Sequence, residues 1–360
     1  MFNGGIASVS RTNGVPMAIP RTSGSPKVFL QDEAMRGGLP LVHGAARHGP
    51  MRVIRDYQFV EPEDRGASAA IGNFDGVHLG HQSVIDLARA AVPDAPLGVM
   101  TFEPHPRVYF APDAPPFRLM SQAARASRLQ KLGVDRLYEL PFNAGLAALA
   151  PEDFAARVIR DGLGLSHVVV GSDFCFGHKR AGTAEDLVRF GAEMGFGVTV
   201  APLIERSAAT VSSTAIRVAL SEGRTRDAAA MLGHWHRIEG PVIGGEQRGR
   251  ELGYPTANMS IDDLHPPAFG VYAVLVDVLE GPHAGAYHGV ASLGVRPMFG
   301  ENRPNLETFV FDFSGDLYGT PMSVALVEHL RGEETFDSVD ALITQMDADS
   351  AQSRAILAAL

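Results

Sequence analysis

The chain predicts two domains of different class. A doubly wound α/β domain stands in front, and a small antiparallel β domain closed by a helix stands behind. Three observations predict this. From about residue 67 to 202, short apolar strands alternate with amphipathic helical stretches, the pattern of parallel βαβ units. After about residue 235, Gly and Pro punctuate short strands, the pattern of a small closed barrel. A length of 360 residues suits two ordinary cores better than one. The boundary is expected near Gly233, giving domains 51–233 and 234–360.

Residues 1–50 are rich in Gly, Pro, Ser and Arg and carry no sustained period. Disorder or a transit segment is one expectation. A true start at Met51 is the preferred one. In the α/β half the expected strands are 67–71, 97–102, 136–140, 167–170 and 198–201. Val84, Ile85, Ala88, Ala91 and Val92 mark one apolar face of a helix. A second helix is expected over 151–160, with Pro151 at its start and Glu152 and Asp153 in its first turn. In the back half the expected strands are 270–278, 289–293, 306–313 and 323–330. A helical tail follows over 338–360.

Composition narrows the classes. Hydrophobic residues make up 45% and charged residues 20%, the balance of a globular protein. No apolar run reaches 18 residues, which argues against a membrane span. A net charge of -10 argues against a nucleic-acid backbone binder. The one cysteine, Cys175, rules out an internal disulfide and a Cys-based zinc site, and fits a reducing cytoplasm.

The first expected strand runs into GNFDGVHLGH, residues 72–81, and then into a helix. Gly72, Gly76 and Gly80 permit close backbone approach, and the helix amino terminus offers free N–H groups to a phosphate. His78 and His81 lie three apart there, placed to stabilise charge growing on an α-phosphate during nucleotidylyl transfer. The bland reading is a Gly-rich turn with two surface histidines. Neither a P-loop nor a dinucleotide fingerprint is present. Three more polar motifs end or follow strands of the same sheet: TFEPHP (101–106), VGSDFCFG (170–177) and VSSTAIR (211–217). Ser212 or Ser213 is suited to cap a helix with Arg217 one turn in, a second anion cradle. Asp173 has the position to hold a hydroxyl or a metal, whereas Phe174 and Phe176 are equally readable as core.

In the back half, Arg248–Asn258 (RGRELGYPTAN) holds Thr256 and Asn258 two apart, hard oxygen donors suited to one Mg²⁺. The alternative is a turn followed by a strand start. Alternation along 306–311 puts Glu307, Phe309 and Phe311 on one face. Desolvation there raises a carboxyl toward a useful base, with a rim salt bridge to Arg296 or Arg303 as the bland alternative.

These segments, in this order, resemble the bacterial bifunctional riboflavin kinase/FAD synthetase family over about residues 52–360. The resemblance implies a six-stranded barrel behind. It implies phosphorylation of riboflavin by ATP to FMN, then adenylylation of FMN to FAD with release of pyrophosphate, with Mg²⁺. Carried over by position, it puts Gly72, Phe74, Asp75, Gly76, His78, His81, Ser213, Thr214 and Arg217 around the ATP of the adenylyltransferase. Asp173, Phe174, Phe176 and Gly177 fall near the flavin or the adenosine, two roles left open. In the kinase, Gly249, Arg250, Gly253, Pro255, Thr256 and Asn258 surround ATP, Thr256 and Asn258 hold the metal, and Glu307 takes the proton of the ribityl hydroxyl. The chain departs from the family at Gly244-Gly245, where His or Arg commonly precedes Gly, and at Val295 and Met298, where Thr is commoner; these positions are expected in loops. Two other readings compete: an adenylyltransferase with a weakened kinase, and a non-catalytic flavin or nucleotide binder. The presence of His78, His81, Arg217 and Glu307 disfavours the last.

Overall fold

The computed structural model describes residues 50–202, 205–206, 209–244, 254–298 and 301–360. The expectations for residues 1–49, Gly245, Gly249, Arg250 and Gly253 lie outside them. Strands β1 (Arg52–Ile54), β2 (Ser68–Ile71), β3 (Leu97–Glu103), β4 (Arg136–Pro141), β5 (His167–Gly171) and β6 (Gly197–Ala201) form one sheet. Its order is β1-β4-β3-β2-β5-β6, and every pairing is parallel. Five of these strands match the sequence reading within a residue or so. Strand β1 has three residues, too few for a periodic signal.

Both faces of the sheet are covered. Ala69 and Ile71 of β2 pack with Phe154, Ile159 and Leu187 on one side, while Ala70 packs with Ile85, Ala88 and Leu129 on the other. Helices α1 (Leu79–Ala91) and α2 (Gln122–Lys131) supply the second side, and α3 (Ala184–Met194) helps supply the first. The expected helix over 151–160 differs: a single α turn, Pro151–Asp153, opens into a π-helix, Phe154–Leu163, ended by Gly164 at φ +58°. The wider winding still turns Phe154, Ala155, Val158, Ile159 and Leu163 inward. The chain winds β2, β3, β4 to one side and then places β5 and β6 beyond β2. The winding therefore reverses between β2 and β5, where open α/β sheets receive ligands at the carboxyl ends of their strands.

Helices α4 (Ser213–Ser221) and α5 (Thr225–Leu232) lead into the second sheet. Its strands are β7 (His236–Pro241), β8 (Thr256–Ser260), β9 (Gly270–Val278), β10 (Gly285–Met298), β11 (Glu301–Val310) and β12 (Pro321–Arg331). They run in the order β7-β12-β9-β10-β11-β8, all antiparallel. The edges meet where the Ile243 N–H donates to the Asn258 carbonyl at 2.8 Å, which curls the sheet into a barrel. Ile238, Met259, Val274, Leu293, Leu306 and Val324 fill its interior. The final helix α6 (Val339–Ala358), capped by Ser338, covers the outer face through Leu357 against Phe311, Val290 and Val327.

The sequence reading gave β7 no residue bounds and read β8 either as a pair of metal donors or as a strand start after a turn. It also ended one strand three residues late: β11 stops at Val310, because Asp312 turns at φ +55°. The departures at Val295 and Met298 lie in the β10–β11 ladder, not in loops, paired with Pro304 and Glu301. No helix of the described residues is long and apolar enough to cross a membrane.

Candidate active sites

The segment after β2 is a buried, tightly wound loop. Phe74 and Val77 take φ of +51° and +43°, and Gly76 takes +87°. A Cβ at Gly76 would fall 2.8 Å from Leu119 Cδ1, so this position needs Gly on both counts. Phe74 belongs to the core. Asp75 turns inward: its Oδ1 accepts the Leu119 N–H at 2.7 Å and its Oδ2 pairs with Arg217 at 2.5 Å. Arg217 also donates from Nε to the Phe117 carbonyl at 2.6 Å, and the Ser213 hydroxyl donates to the Asp75 carbonyl at 2.9 Å. Burial pushes the Asp75 carboxyl up, and the Arg217 charge offsets this only in part. Two motifs far apart in sequence thus meet at the winding reversal. Ser212 takes the cap of α4, accepting the Ala215 N–H, and Thr214 is exposed beside it.

The two histidines are recessed, contrary to the surface reading. Their rings stack at 3.7 Å with 17° between planes. His78 caps α1, its Nδ1 accepting the His81 N–H at 3.3 Å. A Cβ at Gly80 would lie 3.0 Å from the His78 ring, so a small residue there admits the stack. Burial pushes His78 down to about 4 and His81 well below its usual value, so both rings are neutral near pH 7. The His81 Nδ1 is buried without a hydrogen-bond partner among the described residues.

The TFEPHP motif ends β3 at Glu103, and its partners Arg118, Arg125 and Glu139 are residues that sequence reasoning passed over. Glu103 takes a two-pronged pair from Arg118 at 2.8 and 2.7 Å and a third bond from Arg125 at 2.9 Å. Arg125 bridges on to Glu139 of β4 at 2.9 Å, and Gln122 and Arg55 donate to the same carboxylate. Burial pushes Glu103 up, but the two guanidinium groups outweigh it and hold the carboxyl below its usual range. The available signal was a lone Glu139 inside an otherwise apolar strand and an Arg125 among alanines on the core side of α2. Phe117 gathers the neighbouring motifs: His105 meets its ring edge-on at 4.9 Å, and Arg107 and Arg217 lie 4.4 and 5.3 Å from its centroid.

The turn after β5 divides between structure and surface. Phe176 is core, 5% exposed, stacked with Phe174 at 5.5 Å. Gly177 has φ +72°, and a Cβ there would fall 2.8 Å from the Pro151 nitrogen. Packing therefore accounts for Phe176 and Gly177. Exposed Asp173 and half-buried Phe174 have surface left for a ligand.

On the barrel, register decides what meets. Asn258 of β8 stands opposite Glu307 of β11, which stands opposite Ser292 of β10. Thr256 is opposite Phe309 in the same ladder. Leu306 and Val310 point to the interior, so Thr256, Asn258, Glu307 and Phe309 share the outer face, as alternation predicts. Phe309 and Phe311 lie under α6, and Glu307 is half-buried beside them. Half-buried Tyr254, just before the exposed Pro255, meets Phe309 with ring centroids 4.8 Å apart at a 59° tilt and bonds through its hydroxyl to Asp347 of α6. Asn258 is 7% exposed; its Oδ1 accepts the Asn305 amide at 2.7 Å, while the Asn305 Oδ1 is buried without a partner among the described residues. A carbonyl oxygen has two lone pairs, so Asn258 keeps one acceptor position.

Known proteins match both units. A family model for FAD synthetase matches residues 60–215, and one for riboflavin kinase matches residues 232–357. The bifunctional riboflavin kinase/FMN adenylyltransferase of Pseudomonas fluorescens is 40% identical over 311 residues, covering 86% of this chain and 98% of that protein. The protein of the same name from Escherichia coli K12 is 35% identical over 308 residues, covering 84% and 97%. A Streptococcus pneumoniae crystal structure described as a macrolide-efflux protein superposes with a TM-score of 0.73 at 32% identity, covering 85% of this chain and 99% of that one. Parallel sheet and barrel thus recur together in one chain, and this chain belongs to the bifunctional riboflavin kinase/FMN adenylyltransferase family, converting riboflavin to FMN and FMN to FAD.

Proposed function

We propose that the two reactions run at two separate stations. FMN is adenylylated at the winding reversal of the parallel sheet, and riboflavin is phosphorylated on the outer face of the β8–β11 ladder. The division of the chain falls at about Gly233. The observation that carries this reading is the junction of Asp75 with Arg217 and Ser213, which fixes two polar motifs around one strand end.

At the first station, His78 and His81 flank the α-phosphate of ATP. A neutral imidazole offers one N–H to an oxygen whose charge grows as the FMN phosphate attacks, and pyrophosphate leaves. Arg217, Ser213 and Thr214 are assigned to the distal phosphates, with Gly72 and Gly76 giving close backbone approach. Asp173 and Phe174 are assigned to the flavin or adenosine side. At the second station, Glu307 accepts the proton of the ribityl hydroxyl as its oxygen bonds to the γ-phosphorus, and the bond to the β-phosphate oxygen breaks to release ADP. Thr256 and Asn258 would hold Mg²⁺ there. The free lone pair of Asn258 and the orphaned Asn305 Oδ1 beside it suit a hard cation that keeps water and phosphate ligands. When bound, the ion supplies neutralisation of phosphate charge. A cytoplasmic setting is supported by the lone, unpaired Cys175.

Chromatography of the flavins formed from riboflavin, ATP and Mg²⁺ tests the division. Glu307→Ala should stop FMN formation by about a thousandfold while supplied FMN still becomes FAD. His81→Ala should give the reverse pattern. Loss of both activities in a folded Glu307→Ala protein would sink the two-station reading.

A further inference from the structure

Between α2 and β7 lies a cavity of about 60 Å³. It is lined by Ser127, Arg128, Lys131, His234, Arg237 and Glu239, among others. That volume admits a few waters or one tetrahedral oxyanion, not a nucleotide. Its charges are unbalanced. Arg237 is discharged by Asp277 at 2.6 Å and also bonds Ser323. Glu239 turns its Oε1 to the Ser323 hydroxyl at 2.9 Å. Arg128 has no such partner: its Nε is buried without a hydrogen bond, and no carboxylate pairs with it among the described residues. Arg128 as a whole is half-buried, but a buried N–H with no acceptor still costs stability. Burial, and the like charge of Arg237, push Arg128 below its usual range.

His234 carries a second imbalance at the same cavity. Its two ring nitrogens face carbonyl oxygens, that of Trp235 at 2.8 Å and that of Gly76 at 3.2 Å. A neutral ring can donate to only one of them. Both are satisfied only by the cation, yet burial pushes His234 down to about 3. An anion nearby would relieve the Arg128 and His234 imbalances together. The Gly76 contact ties the cavity to the loop after β2.

We propose that this cavity binds a single phosphate-sized oxyanion, with Arg128 as its main cation, at the seam between the sheet and the barrel. Its source is either free phosphate or the pyrophosphate released by adenylyl transfer, whose terminal group presents the same chemistry. The test uses the full chain with orthophosphate and with pyrophosphate, by calorimetry and thermal denaturation. Arg128→Gln should weaken binding by on the order of tenfold or more, since a charge-assisted partner is lost. Glu239→Gln should tighten it severalfold, because a like charge leaves the lining. In phosphate-free buffer Arg128→Gln should melt higher than the parent, since it removes a half-buried cation with no counter-charge among the described residues, and added phosphate should shrink that gap. Binding of orthophosphate supports the site with the free ion as occupant, and binding of pyrophosphate alone supports it with the reaction product. Binding of neither, or equal affinity in the parent and in Arg128→Gln, overturns the proposal. If Arg128→Gln fails to fold or melts lower without phosphate, Arg128 is structural and the proposal also falls. Unchanged or weaker binding by Glu239→Gln counts against it independently.

Discussion

At the scale of single residues, the proposed adenylyl site depends on how Arg217 is held. Its planar fork meets the Asp75 carboxylate and the Phe117 carbonyl at once, and its charge lies over the Phe117 ring. A lysine keeps the charge but cannot hold that geometry. Arg217→Lys should therefore lower kcat/KM for FMN adenylylation by about tenfold or more, roughly 1.4 kcal/mol of lost transition-state stabilisation. Riboflavin phosphorylation should be untouched. Steady-state kinetics of the two half-reactions on one preparation checks this, and an unchanged adenylylation rate would remove Arg217 from the site. The residue types of this site were legible from the motifs. Their pairing was not, because Asp75 and Arg217 are joined by folding and not by spacing.

At the scale of elements, the proposed barrel site depends on the docking of α6. The helix is fastened by Ser353, whose hydroxyl donates to the Gly289 carbonyl at 2.8 Å, and by Arg331, which grips the Asp349 carboxylate at 2.8 and 3.1 Å. Asp349 is 4% exposed, and Gln345 supports it from one turn away. Arg331→Leu leaves that carboxylate buried without its cation and should cost about 3–5 kcal/mol. A urea denaturation midpoint within error of the parent would mean that apolar contacts alone hold the helix. Phe309, Phe311 and Tyr254 meet α6, so FMN formation should also fall in this variant while FAD formation from supplied FMN persists. The helix was readable from its apolar positions, but the strap across it was not, since Arg331 and Asp349 are 18 residues apart and meet only when α6 docks.

At the scale of the whole molecule, buried histidines set the response to acid. Burial pushes His78, His105 and His236 down to about 4 and His234 to about 3. The unfolded chain takes up these protons near pH 6.5, while the folded chain refuses them until about 4. Unfolding therefore binds protons, and stability falls as pH drops through that window. For His236, 3% exposed, the loss between pH 7.5 and 5 should be ~2 kcal/mol. Ordinary carboxylates titrate mostly below pH 5, so the histidines dominate the upper window, against an opposite contribution from the raised Asp75 carboxyl. Urea midpoints at half-unit steps should decline steadily across it. A flat profile would mean that the rings accept protons as freely folded as unfolded.

The sequence by itself determined the two architectures, five strands of the parallel sheet and the family. Those features live in local periodicity and in contiguous motifs, which survive without coordinates. The tertiary structure alone decided the rest. It recessed His78 and His81 into a stacked, neutral pair and turned Arg217 onto Asp75. It built the Glu103–Arg125–Glu139 chain across two strands and set Asn258 opposite Glu307 by register. It also left the Arg128 Nε at the seam without a hydrogen-bond partner among the described residues. Charge partners and burial depend on which elements meet, and that is fixed by packing long stretches of chain against one another rather than by any neighbour in sequence.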